Sequence, residues 1–407
     1  MKCARCNERP PTLRRCASRL PYCRQCFINE FEKEVYDLIE EHKLIVDGDV
    51  VCIGVSGGKD SSVLAHVLAT LKERYHRKWT LYLLAADEGI KGYRDDSLGV
   101  VMGMSNPNYD GLKILNFKER FGFDMDEVVS LIGQKNNCTV CGTFRRQILE
   151  IGARMLGANK LCTGHNIDDN AETVLLNICR NDLFKLARNL NSLDSVGSTA
   201  KMGDKSTADL REVTASTTSG MHINNEATPV GDSYHSMIYK EAKSDVLVTD
   251  QTKSTRFMPL LYDTKMDECD TQITAEMSQK LHLSDKGHEL LRIKPLMHCY
   301  EKEIVMYARY LNLEYFSTEC IYAPEAYRGY MRTFIKQLEA VDPRIIQNIT
   351  YSSEQFYASY LSNRKVNVCK KCGIEGINDL CKACILVEKL TALRSNANEH
   401  IKVAHSS

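Results

Sequence analysis

Net charge is what this sequence most plainly lacks. Its 53 lysines and arginines stand against 53 aspartates and glutamates, so the overall balance neither marks nor excludes a nucleic-acid partner, although a local basic surface can coexist with zero net charge. Long apolar runs are missing too. No stretch approaches the roughly 18 apolar residues of a membrane span, and the N-terminus has neither the basic flank nor the apolar core of a secretory signal. The expectation is a cytoplasmic chain without membrane attachment. A reducing compartment removes disulfides as the reason for 17 cysteines and leaves metal binding or catalysis. The GxxxxGK[ST] spacing of a Walker A loop is also absent, so any nucleotide must be held in another way.

What is present starts with length: 407 residues allow two or three domains of about 100–200 residues each. FEKEVYDLIEEHKLI (31–45) has apolar positions at helical intervals. After Asp49, VVCIGV is a nearly uninterrupted apolar run before SGGKDS, and SVLAHVLATLKERY follows with helical periodicity. The alternation recurs in LYLLAA ending at Asp87 and Glu88, in GLKILNF, in the helix-like TFRRQILEIGARMLG, and in KLCTG before His165. Such alternation predicts an α/β fold with a mostly parallel sheet, its ligands at the carboxyl ends of the strands, where the loops after Val55, Ala86 and Thr163 share one edge. From 191 to 286 polar residues dominate, predicting a largely flexible insertion in which only SDVLVT and RFMPLLY look orderable. EKEIVMYARYLNL and AYRGYMRTFIKQLEAV then read as two helices flanking Ser317-Thr318-Glu319-Cys320.

Cys3-x2-Cys6 and Cys23-x2-Cys26, and again Cys369-x2-Cys372 and Cys381-x2-Cys384, have the knuckle-pair spacing of structural zinc ribbons, in which four thiolates close a tetrahedron. Two Zn²⁺ ions are expected, each folding a segment too poor in apolar residues to fold unaided. Arg5, Arg9, Arg14, Arg15 and Arg24 could present charge to RNA phosphates or simply be a solvated face. The expected organisation is a zinc ribbon over 1–30, a catalytic core over 31–190, the insertion over 191–286, the rest of the core over 287–350, a second ribbon over 351–390 and a tail over 391–407.

In Ser56-Gly57-Gly58-Lys59-Asp60-Ser61 the glycines let backbone N–H groups turn toward an anion, and the following helix adds its positive end. A strand followed by SGGxDS resembles the PP-loop of N-type ATP pyrophosphatases. The resemblance implies a Rossmann-like, adenine nucleotide alpha hydrolase-like core that cleaves ATP to AMP and pyrophosphate. Lys59 would then pair with phosphate charge and Asp60 would hold Mg²⁺. On the same edge, Gly164-His165-Asn166-Ile167-Asp168-Asp169-Asn170-Ala171-Glu172-Thr173 opens a helix. Its aspartates either complement the helix dipole or reach Mg²⁺ or the activated base.

Cys138-Thr139-Val140-Cys141 is expected in a loop before a helix starting near Gly142, and Cys320 is the remaining cysteine with a distinctive context. With DEGIKGYRDDS (87–97), NNCTVCGTFRRQ (136–147), RIKPL (292–296), YEKEIVMYA (300–308), YFSTECIYAPEAYRG (315–329) and both ribbons, the chain resembles the TtuA-like family of tRNA 2-thiolation enzymes in its eukaryotic cytoplasmic branch, over roughly three quarters of its length. That resemblance implies a [4Fe–4S] cluster on Cys138, Cys141 and Cys320, with one iron free of protein ligands to carry sulfur. It aligns Asp169 with the family's catalytic aspartate and Arg145 with a lysine, so Arg145 keeps the charge but serves in electrostatic stabilisation rather than proton transfer. It places ATP against Ser56 to Ser61, Ala86, Asp87 and Gly164. The resemblance implies as substrates the wobble uridines of cytosolic tRNAs for lysine, glutamate and glutamine. As partners it implies a thiocarboxylated ubiquitin-related modifier as sulfur carrier and a second complex subunit, with room for a homodimer. A persulfide relay would use the same cysteines without a cluster.

The sequence departs from the family at Arg180-Asn181-Asp182, where an Arg-Gly-Asp turn is usual. Asparagine tolerates left-handed backbone, so the turn is expected to survive. Competing readings are a 2-thiocytidine or lysidine-type PP-loop enzyme, which has no need of both ribbons and the STEC context, and a non-catalytic tRNA-binding subunit, which has no need of the intact SGGKDS loop and cysteine trio.

Overall fold

The structure, a computed structural model, describes residues 1–134, 136–182, 186, 290–318, 320–322, 327–358, 367–376 and 378–404. The expected insertion at 191–286, with its SDVLVT and RFMPLLY segments, lies outside the described residues.

A five-stranded parallel sheet forms the centre, with strand order β5-β4-β3-β6-β7. The strands are β3 (Val50–Val55), β4 (Thr80–Asp87), β5 (Gly111–Asn116), β6 (Lys160–Cys162) and β7 (Leu291–Ile293). Both faces are covered, which is why β3 and β4 read as apolar runs rather than as alternation. Val51, Ile53, Val55, Leu81, Leu83 and Ala85 join one core cluster, together with helices α1 (Arg24–Glu41), α2 (Lys59–Arg74) and α8 (Glu301–Leu311). Cys52, Leu84 and Leu161 join another with Ala153 of α6 (Asn137–Met155) on the opposite face. This is the period-two pleat, with each face buried under its own helices.

The chain runs outward from β3 through β4 to β5 and then returns to add β6 and β7 on the other side of β3. The gap between β3 and β6 is therefore the topological switch point, the place in an open α/β sheet where ligands bind. Helices α3 (Arg94–Gly103), α4 (Phe117–Phe121), α5 (Met125–Ile132) and α7 (Ile167–Cys179) complete the first part of the core, and α9 (Tyr327–Val341) and α10 (Arg344–Ala358) pack on α7.

At the amino end a two-stranded hairpin, β1 (Leu13–Arg14) and β2 (Pro21–Tyr22), precedes α1; at the other end β8 (Asn367–Val368) and β9 (Glu375–Gly376) precede α11 (Lys382–Ala404). Helix α1 crosses residue 30, α10 crosses 350 and α11 crosses 390. Asn181 has φ 50°, the left-handed conformation expected where glycine is usual. Among the described residues, no helix is long and apolar enough to cross a membrane.

Candidate active site

Strand β3 ends at Val55 and α2 begins at Lys59, with Gly58 in the N-cap position and no side-chain cap. The first-turn N–H groups of α2 are thereby left for a ligand. By contrast α5 and α7 both close their first turns with capping boxes. The loop is shaped by its own serines: the Ser61 hydroxyl donates to the Gly58 carbonyl at 2.9 Å and accepts from the Ser56 N–H at 3.2 Å. Gly57 has φ +70°, and a Cβ there would collide with the Ser97 carbonyl oxygen. At Gly164 a Cβ would lie 2.9 Å from the Asp60 carbonyl carbon and 3.0 Å from the Ser61 nitrogen. Only a bare backbone lets the β6–α7 loop lie this close to the first turn of α2.

A cleft of about 220 Å³ opens at this edge, and Ser56, Gly58, Asp60, Ser61, Ala86, Arg145, Gly164 and Asp169 of the expected set line it. Asp60 is pushed above the usual carboxylate range by burial, against the pull of Lys59, and the nearby Asp169 charge pushes the same way. Two mutually repelling carboxylates beside an uncapped helix terminus are chemically suited to a divalent cation. Asp169 also closes the α7 capping box with Asn166 and accepts from Arg328 Nη2 at 3.0 Å. Asp168 turns away, accepting from Lys336 Nζ and from the Glu301 N–H, each at 2.8 Å. Both the helix-terminus reading and the cleft reading thus fall on Asp169, which caps α7 and alone of the two lines the cleft.

Three expected nucleotide residues, Gly57, Lys59 and Asp87, do not line it. Lys59 Nζ lies 2.7 Å from Glu301 and 3.1 Å from Asp60. Burial works against Glu301 ionising, but the ammonium groups of Lys59 and Lys336 overcome it and hold that carboxyl down at about 2. Asp87 accepts from Gly89 N–H (2.9 Å) and Asn116 Nδ2 (2.7 Å) and pairs with Arg94 (2.8 Å), which fixes the end of β4.

Helix α6 corrects one expectation. It starts at Asn137 rather than near Gly142, so Cys138 lies in its first turn and Cys141 opens its second, and neither is in a preceding loop. Asn136 takes the left-handed conformation (φ 68°) that turns the chain into the helix, and Asn137 Nδ2 donates to the Tyr322 carbonyl at 3.1 Å. That bond ties the segment carrying Cys320 to the start of α6. Spaced i, i+3 and i+7, Cys138, Cys141 and Arg145 run along one stripe of the helix. Arg145 Nη2 lies 2.7 Å from Glu88 Oε1 and 3.6 Å from Cys141 Sγ, so it joins the cleft to the cysteines. Burial pushes the Cys141 thiol up to about 11, Arg145 opposing and Glu88, Cys320 and Cys138 adding to the rise. Without a metal or base such a thiol stays protonated at neutral pH.

Among the described residues, Cys3, Cys6, Cys23 and Cys26 and, separately, Cys369, Cys372, Cys381 and Cys384 bring their sulfurs within 4.8 Å of one another. In the second quartet Cys369 and Cys384 sulfurs are 3.9 Å apart and Cys372 and Cys381 sulfurs 3.6 Å. A tetrahedron with bonds of about 2.3 Å has edges of about 3.8 Å, so the spacing fits a zinc ion. Cys138, Cys141 and Cys320 are not gathered that tightly. As a donor set, three cysteine sulfurs are of the kind that holds iron–sulfur groups.

Residue reasoning missed Glu88, His165 and Lys294. Glu88 was visible as the second carboxylate after LYLLAA, and it is this one that lines the cleft. His165 also lines it at the exposed mouth, where its ring bonds Thr163 Oγ1 at 2.9 Å and desolvation, with Lys294, Arg328 and Arg146 nearby, lowers its pKa against the pull of Asp169. Lys294 directly follows β7 at the same sheet edge, and burial lowers it to about 8, with Asp169 pulling up and Arg328 pushing down. Arg328 and Lys336 come from α9, more than a hundred residues from Asp169, and no local pattern announces them.

A glycine and serine loop, an uncapped helix terminus and a switch-point cleft define a PP-loop nucleotide-binding protein, and a family model described as a PP-loop domain matches residues 28–203. The chain belongs to the cytoplasmic tRNA 2-thiolation protein 1 family, as the motif resemblance implied. It is 39% identical over 391 residues to that protein of Chlamydomonas reinhardtii, covering 95% of this chain and 84% of the relative. The Xenopus laevis protein is also 39% identical (96% and 88% covered) and the Arabidopsis thaliana protein 38% (95% and 84%). A similar fold is seen in the U34-tRNA thiolase NcsA from Methanococcus maripaludis, a structure solved with its [4Fe–4S] cluster, at TM-score 0.64 and 23% identity over 96% of each chain.

Proposed function

We propose that this chain is an ATP-dependent sulfurtransferase that converts the wobble uridine of cytosolic tRNAs for lysine, glutamate and glutamine to 2-thiouridine. The observation that carries this reading is Arg145, which lines the nucleotide cleft and lies 3.6 Å from Cys141 Sγ. It puts nucleotide chemistry and sulfur chemistry within one side chain of each other.

In this reading the α2 terminus and the Ser56–Ser61 loop hold the ATP phosphates, and Asp60 with Asp169 holds Mg²⁺. The uridine C2 oxygen attacks the α-phosphorus and pyrophosphate departs; hydrosulfide, released from the carrier's thiocarboxylate as water replaces it to leave a carboxylate, then adds at C2, its proton is lost, and AMP leaves with the former C2 oxygen. Arg145 stabilises the negative charge that develops on phosphate and at C2. Cys138, Cys141 and Cys320 would hold a [4Fe–4S] cluster, which when bound supplies a coordination position for the incoming sulfur. With its pKa lowered, His165 adds no positive charge to the cleft at neutral pH.

The two terminal quartets hold Zn²⁺ and fold the ribbons. Arg15 is excluded from RNA contact by its burial and its pairing with Glu303 and Glu34, which leaves Arg5, Arg9, Arg14 and Arg24 for that role. Sulfur arrives as the thiocarboxylate of a ubiquitin-related modifier, a second subunit completes the complex, and the setting is the cytoplasm named in the relatives' descriptions.

The test is mass spectrometry of wobble nucleosides in tRNA from cells lacking this protein, complemented with wild type or with Cys320→Ala at equal expression. Restoration of 2-thiouridine by wild type alone supports the reading. Restoration by both removes Cys320 from the chemistry, and restoration by neither, with both proteins present, refutes the assigned reaction.

A further inference from the structure

The helix that carries Cys138, Cys141 and Arg145 also reaches the C-terminal cysteine quartet. Gln147, two residues beyond Arg145, places its side-chain Nε2 3.4 Å from Cys372 Sγ and 3.8 Å from Cys381 Sγ. Its Oε1 is buried and has no hydrogen-bond partner among the described residues. Turning the amide over would aim a carbonyl oxygen at two sulfurs, so this orientation suits sulfurs that accept, as metal-bound thiolates do most strongly.

The neighbouring bonds follow the same logic. Cys381 N–H donates to Cys369 Sγ at 3.2 Å and Cys384 N–H to Cys381 Sγ at 3.5 Å. Four thiolates around a dication retain a charge of about −2, and N–H donors that spread it strengthen metal binding. Gln147 adds such a donor from outside the ribbon. It sits on the face of α6 where Val140, Phe144 and Ile148 share an apolar cluster with Ala383 and Leu390 of α11. One helix is thus clamped to the ribbon on one stripe and presents the cysteine and arginine row on the adjacent one.

We propose that Gln147 is a positioning residue that couples metal loading of the C-terminal quartet to the placement of α6, and through it to Cys138 and Cys141. The inference rests on reading that quartet as a zinc site. It assigns the C-terminal ribbon a second task besides folding itself, because an emptied quartet would lose the acceptors that hold Gln147 and free the start of α6 to shift.

The test uses the full chain with both quartets loaded with zinc, challenged with EDTA, and peptide-resolved alkylation as the readout. Gln147→Met keeps the volume and deletes the donor; labelling of Cys369, Cys372, Cys381 and Cys384 should accelerate about tenfold or more. Cys3, Cys6, Cys23 and Cys26 should keep the wild-type rate, which also reports an intact fold. Gln147→Glu sets a carboxylate against the thiolates and should be faster still, whereas Gln147→Lys restores an N–H donor and should return protection. In cluster-free wild type, stripping the zinc should change the labelling rate of Cys138 and Cys141.

Wild-type rates in the Met and Glu variants would overturn the proposal. So would a Lys variant as unprotected as Met, which would reduce Gln147 to packing, and so would Cys138 and Cys141 rates indifferent to zinc. If the wild-type C-terminal quartet labels at once without EDTA, the zinc reading itself fails and the proposal with it.

Discussion

Arg145 shows how much of the proposed chemistry turns on one side chain. A single nitrogen of its guanidinium, Nη2, lies 2.7 Å from Glu88 and 3.6 Å from Cys141, so the other donors of the planar group stay available for a phosphate. Arg145→Ala is expected to slow single-turnover tRNA thiolation by about 10²–10³, the typical loss of one preorganised electrostatic contact. Arg145→Lys should recover part of that loss, since it restores charge without the fork. A lysine variant no better than alanine would show that the geometry, not the charge, matters. Lys294 offers a pH test. Buried beside Asp169 and Arg328, it titrates at about 8, whereas an unfolded lysine titrates near about 10.4. Between those values the unfolded chain binds more protons, so this group makes stability rise with pH across the window, and its penalty is full below the folded pKa. Urea midpoints across that range should rise less steeply in Lys294→Met than in wild type; parallel profiles would remove Lys294 as the source.

Among the elements, the phosphate loop was the most legible. A short apolar run, two glycines and a helical period follow from local sterics and pleat, and β3, the loop and α2 fall where those signals put them. Gly57 makes the dependence testable. Its φ of +70° costs an L-residue about 1–2 kcal/mol, and the Ser97 carbonyl leaves no space for a Cβ. Gly57→Ala should therefore weaken ATP binding at least tenfold by calorimetry; unchanged affinity would mean that the loop relaxes without loss. The start of α6 was not legible, because Asn136, Asn137 and Cys138 are poor helix formers and the helix there depends on the left-handed turn at Asn136 and on a bond from Asn137 to Tyr322, 185 residues away. For the same reason the sequence could nominate Asp168 and Asp169 together but not separate them: the lysine that claims Asp168 and the arginine that meets Asp169 arrive from α9.

At the scale of the whole molecule, the N-terminal ribbon is fastened to the core by a side chain first read as possible RNA-binding charge. Arg15 Nε and Nη2 meet the two oxygens of Glu303 on α8 at 2.9 and 3.0 Å, Nη2 also reaches Glu34 at 2.6 Å, and the Cys16 N–H donates to Glu303 at 2.8 Å. With side chains 10% and 4% exposed, the pair is buried, so deleting one partner strands the other's charge at a cost of about 3–5 kcal/mol. Glu303→Ala should fall at the low end of that range, because Glu34 still faces Arg15, yet the Cys16 N–H loses its acceptor as well. The ribbon pair Arg5 and Glu30 is the control, its arginine 61% exposed and 3.6 Å from the carboxylate; Glu30→Ala should shift stability by less than about 1 kcal/mol. Denaturant unfolding of both variants with zinc held in the buffer distinguishes a fastened ribbon from a loosely attached one. If Glu303→Ala unfolds as late as Glu30→Ala, the ion pair does not anchor the ribbon, and hydrophobic contact along α1 must hold it instead.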